Sequence, residues 1–210
     1  MIEVSLLSAR QKLRHLAQRV HENVQGVAAV EFAMIAPVLL MMLMGSIEYS
    51  QAITVDRRVT QAASVTADLV ARAPSEGVTA AQIDRDLAIV GQLLAPYDTA
   101  PLTLNIISIK AKADPNNPDA VIYVVDWSRD NRGGTPYQRN SPPPFGMPDG
   151  LLVAGDSVIV GFARYTYIPL SVRYFIKTGI ELEQKFYLKP RNSNCVHLKP
   201  INCVTGETMS

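Results

Sequence analysis

The first long pattern in the chain is an apolar run from Val27 to Ile47, in which Glu31 is the only charged residue. At about 1.5 Å of rise per residue, a helix of this length covers roughly 30 Å, the thickness of the hydrocarbon core of a bilayer. The pattern therefore predicts a transmembrane segment at residues 27–47. Pro37 has no N–H to donate to the preceding turn, so the sequence predicts either a kink there or a proline that the lipid-embedded helix tolerates.

The helical pattern continues beyond this run, because small and apolar residues recur at steps of three and four. No glycine or proline interrupts it between Ser46 and Ala73. We therefore predict one helix from about Val27 to Ala73, with residues 48–73 continuing outside the membrane and Pro74 ending the helix. The predicted buried seam comprises Val55, Val59, Ala62, Thr66, Leu69 and Ala73.

A second helix is predicted to begin at Thr79, where Thr79 and Gln82 have the spacing of a capping box. It ends before Pro96. Its predicted apolar face comprises Ile83, Leu87, Val90 and Leu94.

The remainder of the domain is rich in β-branched and aromatic residues that indicate four strands. A turn at 114–118 makes the first two strands an antiparallel pair, and a long irregular segment at 129–150 follows the second. In the fourth strand, apolar residues alternate with charged ones, which predicts one face in water. Residues 74–190 are thus predicted to form an α+β domain. The predicted strands are 102–109, 120–128, 158–168 and 180–188.

Composition and charge indicate how the chain is oriented in the membrane. The chain has 210 residues, 48% of them hydrophobic and 19% charged, with a net charge of +1. So small a charge gives no field for nucleic acid, which we exclude as a partner. Basic residues precede the apolar run and acidic ones follow it, so the positive-inside rule predicts a cytoplasmic leader at 1–26 and a C-terminal domain on the opposite side. The basic residues are Arg10, Lys12, Arg14 and Arg19.

Both cysteines, Cys195 and Cys203, lie in the C-terminal tail, residues 191–210. On the oxidising side of the membrane we expect them to form a disulfide that restrains this polar tail. Free thiols are the main alternative. A metal site that includes His197 is less favoured, because three ligands in one short segment lack the paired spacing of a zinc site. We therefore predict no metal.

Residues for catalysis are not grouped in any recognisable pattern. Two of the three histidines, His15 and His21, precede the apolar run, and Gly133-Gly134 lacks the lysine of a phosphate-binding loop. Asp84 and Asp86 fit a solvated helix face. We therefore expect no enzymatic activity and no cofactor.

The residues around the start of the apolar run resemble the processing site of type IV pilins, with a glycine at position 26 and a glutamate five residues later. The Glu31-Phe32 pair, followed by Ala33 and then Pro37, is similar to TadE-like minor pseudopilins of tight-adherence (Tad, Flp-type) pilus systems. The resemblance is specific over about residues 24–70.

This resemblance implies a non-enzymatic subunit of pilus assembly in the bacterial inner membrane, with a single membrane crossing and a periplasmic C-terminal domain. A prepilin peptidase would cut between Gly26 and Val27, with Glu31 and Phe32 recognised in processing or assembly. The implied partners are this peptidase, other minor pseudopilins, the Flp pilin, the inner-membrane assembly platform and the lipid bilayer. The subunit could itself enter the pilus.

Placing a charged side chain in lipid is energetically unfavourable, so we expect Glu31 to form an ion pair with a partner. Cleavage after Gly26 would free the α-amino group of Val27, and a staggered neighbouring subunit could place its Val27 amine beside Glu31. The alternative is that Glu31 simply extends to the membrane interface.

Two other functions fit the same sequence. One is a periplasmic or surface binding module on an uncleaved signal anchor, with the 129–150 segment as its contact surface. The other is a secreted protein cut near Ser50-Gln51-Ala52, although the continuing helical seam argues against cleavage there.

Overall fold

The computed structural model describes residues 24–148, 150–169, 179–201 and 203. Residues 1–23 of the predicted leader and 204–210 of the tail lie outside this description. The chain divides into two compact units, Met1–Ser50 and Gln51–Ser210.

The elements confirm the α+β class, with a long N-terminal apolar helix, a second helix and a four-stranded antiparallel sheet. The helices are α1 (Val24–Ala71), α2 (Ala80–Gly91) and a short 3-10 helix (Gln92–Leu94). The strands are β1 (Val78–Thr79), β2 (Leu102–Asp114), β3 (Asn117–Asp130), β4 (Ser157–Tyr167), β5 (Ile180–Leu188) and β6 (Leu198–Lys199).

In the second unit, α1 buries the predicted seam with one exception. Leu69 is 41% exposed, whereas its neighbour Val70 is 3% exposed, so the prediction for Leu69 is wrong. The reason is helical geometry: at 100° per residue, the buried residues Ala63, Ala67 and Val70 lie to one side of Thr66 around the helix, whereas Leu69 lies about 60° to the other side. The fully buried residues on this stretch include Val55, Val59, Ala62, Ala63 and Ala67.

Helix α2 begins as predicted. The Thr79 hydroxyl accepts the Gln82 N–H at 3.3 Å, and the Thr79 N–H donates to the Gln82 side-chain oxygen at 2.9 Å, which completes the capping box. The predicted apolar face is also confirmed, since Ile83, Leu87, Val90 and Leu94 are all buried.

The sheet has the order β3-β2-β4-β5 with every neighbouring pair antiparallel. Strands β2 and β3 run further toward each other than predicted, which leaves a turn at Pro115-Asn116. In this turn the Asn116 N–H donates to the Asp114 carboxylate at 2.8 Å, an aspartate turn that needs fewer residues than the predicted 114–118. The register between β2 and β3 shifts after Ser108, beside Asp126.

Each face of the sheet has its own apolar core. The helix-side core joins the sheet to α1 and α2, and its central residues are Leu104, Ile106, Trp127, Ile159 and Ala163. The loop-side core lies on the opposite face and is built on Ile107, Ile109, Val125, Val158, Val160 and Phe162. Neighbouring residues such as Ile106 and Ile107 belong to different cores because side chains alternate between the faces of a strand.

The loop-side core is covered by the long segment between β3 and β4, residues 131–156. Its side chains Tyr137, Phe145, Met147 and Leu152 pack against this core. The segment predicted to be irregular is therefore built into the fold.

This cover changes the expected exposure of β5. The face of β5 that the alternation predicts to be in water carries Tyr187, but this residue packs against the loop-side core, and burial raises the pKa of its hydroxyl. Lys185 also lies on this side, 4.8 Å from the centre of the Phe145 ring. Conversely, Ile180 and Phe186 are 49% and 38% exposed, because no described strand pairs beyond β5.

Candidate functional site

The predicted processing residues lie in the first turns of α1. The helix begins at Val24, so Gly26 and Val27 are already helical. A Cβ added to Gly26 would meet no atom within 4 Å. Packing among the described residues therefore gives no reason for a glycine at this position.

The apolar run that follows is exposed along almost its whole length. Val27 is 56% exposed and Phe32 68%. By length and composition, α1 contains a segment able to cross a membrane, a property that signal sequences share. Because the apolar part is unburied in this chain, it differs from the core helix of a water-soluble protein.

Glu31 stands within this exposed apolar surface, one helical turn and about 6 Å from Val27. Among the residues that the structure describes, no ion pair includes Glu31. Pro37 lies six residues after Glu31, and α1 continues on both sides of it.

At the other end of the chain, Cys195 and Cys203 are joined by a disulfide. His197 lies between them, and its Nδ1 accepts the Cys203 N–H at 3.0 Å. The sulfur and imidazole atoms lie within 4.8 Å of one another. Since the disulfide uses both sulfurs, neither is a thiolate ligand for a metal in this form.

The tail closed by this disulfide is tied to several elements of the domain. The Trp127 indole N–H donates to the Val196 carbonyl at 2.7 Å, and the Val78 N–H donates to the His197 carbonyl at 2.8 Å. The Asn192 amide donates to the last carbonyls of the α1 region, those of Arg72 and Ala73. The two bonds from Asn192 satisfy backbone carbonyls of the kind that the C-terminal end of a helix leaves without hydrogen-bond partners.

A pocket of about 240 Å³ lies in the second unit. It is formed by Gln51 of α1, by the connection between the 3-10 helix and β2, and by the end of β4. The Tyr165 hydroxyl donates to the Asp98 carbonyl at 3.1 Å. Burial, followed by the charge of Asp98, raises the pKa of Tyr165. The lining residues are Gln51, Tyr97, Asp98, Pro101, Tyr165, Thr166, Tyr167 and Ile168.

The family model of the TadE-like proteins matches residues 26–68. The chain carries a TadE-like domain. The match confirms the resemblance drawn from Gly26, Glu31 and Phe32, and it associates the chain with the Tad pilus system, of which TadE-like proteins are components. No curated protein and no solved structure matches the chain.

The TadE-like domain contains the exposed apolar half of α1 and most of its buried half. It ends before the second helix and the sheet, so the family match covers the region where the sequence placed its processing residues. The remaining predicted site residues, Cys195 and Cys203, lie outside it.

Sequence reasoning missed two features formed mainly by residues outside the TadE-like domain. The first is the pocket, whose tyrosines come from separate parts of the chain. The second is Asp84, predicted to be solvated, which forms two hydrogen bonds with Arg129 at 2.7 and 2.6 Å. This bonding holds the pKa of Asp84 below its usual value. Neither feature produces a local sequence pattern. For the contact between Asp84 and Arg129, the available signal in the sequence was the acidic pair Asp84 and Asp86.

The tail gives a direct prediction. Replacing Cys195 with serine should lower the free energy of unfolding by about 2 kcal/mol, because the open tail gains conformational freedom when the chain unfolds. Chemical denaturation of the full chain measures this loss. Alkylation without reductant should modify no cysteine in the parent protein, and two modified cysteines in the folded protein would contradict the pairing.

Proposed function

We propose that this protein is a non-enzymatic minor pseudopilin that takes part in assembly of a Tad/Flp-type pilus. Residues 27–47 cross the bacterial inner membrane once, with the leader 1–26 in the cytoplasm. Residues 48–73 continue the helix into the periplasm, where residues 74–190 form the α+β domain and 191–210 its tail. The observation that carries the proposal is the TadE-like match, which begins at Gly26 itself.

Processing is the first step of the proposed function. A prepilin peptidase cuts between Gly26 and Val27, where a residue without a side chain suits a narrow cleft. The exposed apolar surface after Val27 then serves lateral association with other minor pseudopilins and the Flp pilin. The assembly platform of the inner membrane is the further partner in this proposal.

Glu31 provides the specificity of this association. In lipid, packing alone drives helices together, and an unpaired charge is unfavourable. When a neighbouring helix is displaced along its axis by about one turn, its Val27 amine meets Glu31. The ion pair then fixes the axial register between subunits, as buried polar contacts do in other helical assemblies.

Sequencing the N-terminus of the membrane-purified protein tests the processing step. We expect Val27 as the first residue in cells with the peptidase and an unprocessed chain in cells without it. Gly26→Leu should block cleavage, whereas Gly45→Leu, at another glycine with open surroundings in the same run, should be processed normally. An intact leader in peptidase-containing cells would contradict the pseudopilin mechanism and favour the uncleaved anchor.

A further inference from the structure

Cys195, His197 and Cys203 carry side chains of the kinds that bind zinc, and the fold brings them together. The two sulfurs and the imidazole lie within 4.8 Å of one another. Tetrahedral Zn²⁺, at about 2.3 Å from sulfur and 2.1 Å from nitrogen, holds such donors about 3.6–3.8 Å apart. Once the disulfide is reduced, small movements of the side chains therefore bring all three donors to one ion.

Hydrogen bonds from other elements hold the backbone that carries these donors. The Trp127 indole N–H donates to the carbonyl of Val196, which lies between the first two donors, and the Val78 N–H donates to the carbonyl of His197. Neither bond involves the disulfide, so we expect the donors to stay close in the reduced chain. Spacing along the chain argued against a metal here, whereas the tertiary contacts favour one.

His197 already directs a lone pair toward Cys203. Its Nδ1 accepts the Cys203 N–H at 3.0 Å, so the neutral imidazole carries its proton on Nε2. A metal bonded to Nδ1 takes the place of this N–H and needs no change of tautomer. The cost of binding on this side is one hydrogen bond to the backbone.

Burial and charge decide which metal suits these donors. Cys203 is 5% exposed, and the other two residues are partly buried. Two thiolates cancel the charge of a divalent ion, whereas a monovalent copper ion would leave a negative charge in a partly buried place. Thiolate together with imidazole is also a common ligand set of Zn²⁺ in proteins.

We propose that the reduced tail binds one Zn²⁺ through the Sγ atoms of Cys195 and Cys203 and the Nδ1 atom of His197. Reduction of the disulfide takes two electrons and two protons from a dithiol, which is itself oxidised to a disulfide. Zn²⁺ then displaces both thiol protons and bonds to the two sulfurs. A fourth ligand, such as water, completes the tetrahedron. The ion restrains the tail in the reduced chain as the disulfide does in the oxidised chain.

A zinc titration of the full chain in neutral detergent, against a coloured chelator, tests this proposal. The chain is first reduced with a phosphine, which brings no thiol of its own, and freed of metal. We expect one Zn²⁺ per reduced chain and at least about a hundredfold weaker binding by the oxidised chain, whose sulfurs are bonded to each other. His197→Ala should weaken binding about tenfold. His21→Ala, which removes a histidine from the leader, is the matched control and should leave binding unchanged.

Equal zinc binding by the oxidised and reduced chains would indicate an adventitious ion only and would overturn the proposal. A Cys203→Ser variant that binds zinc like the reduced parent would overturn it as well. Because that variant also lacks the disulfide, far-UV circular dichroism checks that it is folded.

Alkylation of the reduced parent chain gives a measurement without any substitution. Zn²⁺ should slow the modification of both cysteines at least about tenfold, because a sulfur bonded to the metal is not free to react. The same rate with and without Zn²⁺ would contradict the site. None of these results depends on cleavage after Gly26, so failure here leaves the proposed function unaffected.

Discussion

Replacing Glu31 with glutamine is expected to abolish surface pili while leaving the protein level, membrane fraction and domain fold intact. The substitution keeps the size of the side chain but removes the charge that pairs with the Val27 amine of a neighbouring subunit in our proposal. Membrane insertion should improve slightly, because a carboxylate within an apolar segment costs up to about 3 kcal/mol at the bilayer centre. Electron microscopy of cells and crosslinking between subunits measure the two outcomes.

The matched control is Glu76→Gln, which makes the same chemical change at an exposed residue outside the apolar run. It should leave piliation and crosslinks unchanged. Normal piliation by the Glu31→Gln variant would contradict the ion pair. Glu31 would then be explained as a side chain read only by the peptidase or one that extends to the membrane interface.

Gly161→Val is expected to cause the largest loss of folding stability in the domain. Gly161 lies in β4, paired with Ile106 on one side and Phe186 on the other. A Cβ at this position would lie 2.1 Å from the carbonyl oxygen of Ala63 and 3.0 Å from the backbone nitrogen of Ala67. Both atoms belong to the α1 backbone, which cannot rotate aside like a side chain.

We expect Gly161→Val to lower the free energy of unfolding by at least about 3 kcal/mol, the upper part of the usual range for overpacking. Urea denaturation of the full chain, followed by circular dichroism, measures the change. Gly91→Ala is the control, since a Cβ there meets no atom within 4 Å and alanine favours the helix. A loss below about 1 kcal/mol at Gly161 would show that α1 can separate from the sheet at little cost.

The sequence predicted the features whose physical cause is local. The capping box of α2 depends on two residues three positions apart, and the buried faces of both helices depend on a period of 3.6 residues. The same periodicity explains the error at Leu69, because a step of three from Thr66 turns away from the buried face, whereas a step of four reaches the buried Val70. Strand positions followed from β-branched and aromatic content, while their ends depended on pairing.

The processing residues that we propose were named from sequence alone, because a peptidase site and a membrane segment are linear signals. Gly26 and Glu31 can be identified from their spacing and from the apolar residues around them, and the match to TadE-like proteins begins at that glycine. Lateral pairing through Glu31 depends on a second subunit and stays a prediction.

Only the tertiary structure showed contacts between residues far apart in the chain. Long-range pairing brings Asp84 to Arg129, places Gly161 against α1 and packs Phe145 over the sheet. It also collects the tyrosines of the pocket. The physical reason is that helix and strand periodicities specify which face of each element is apolar, whereas the partner of that face is decided by the simultaneous packing of all the elements.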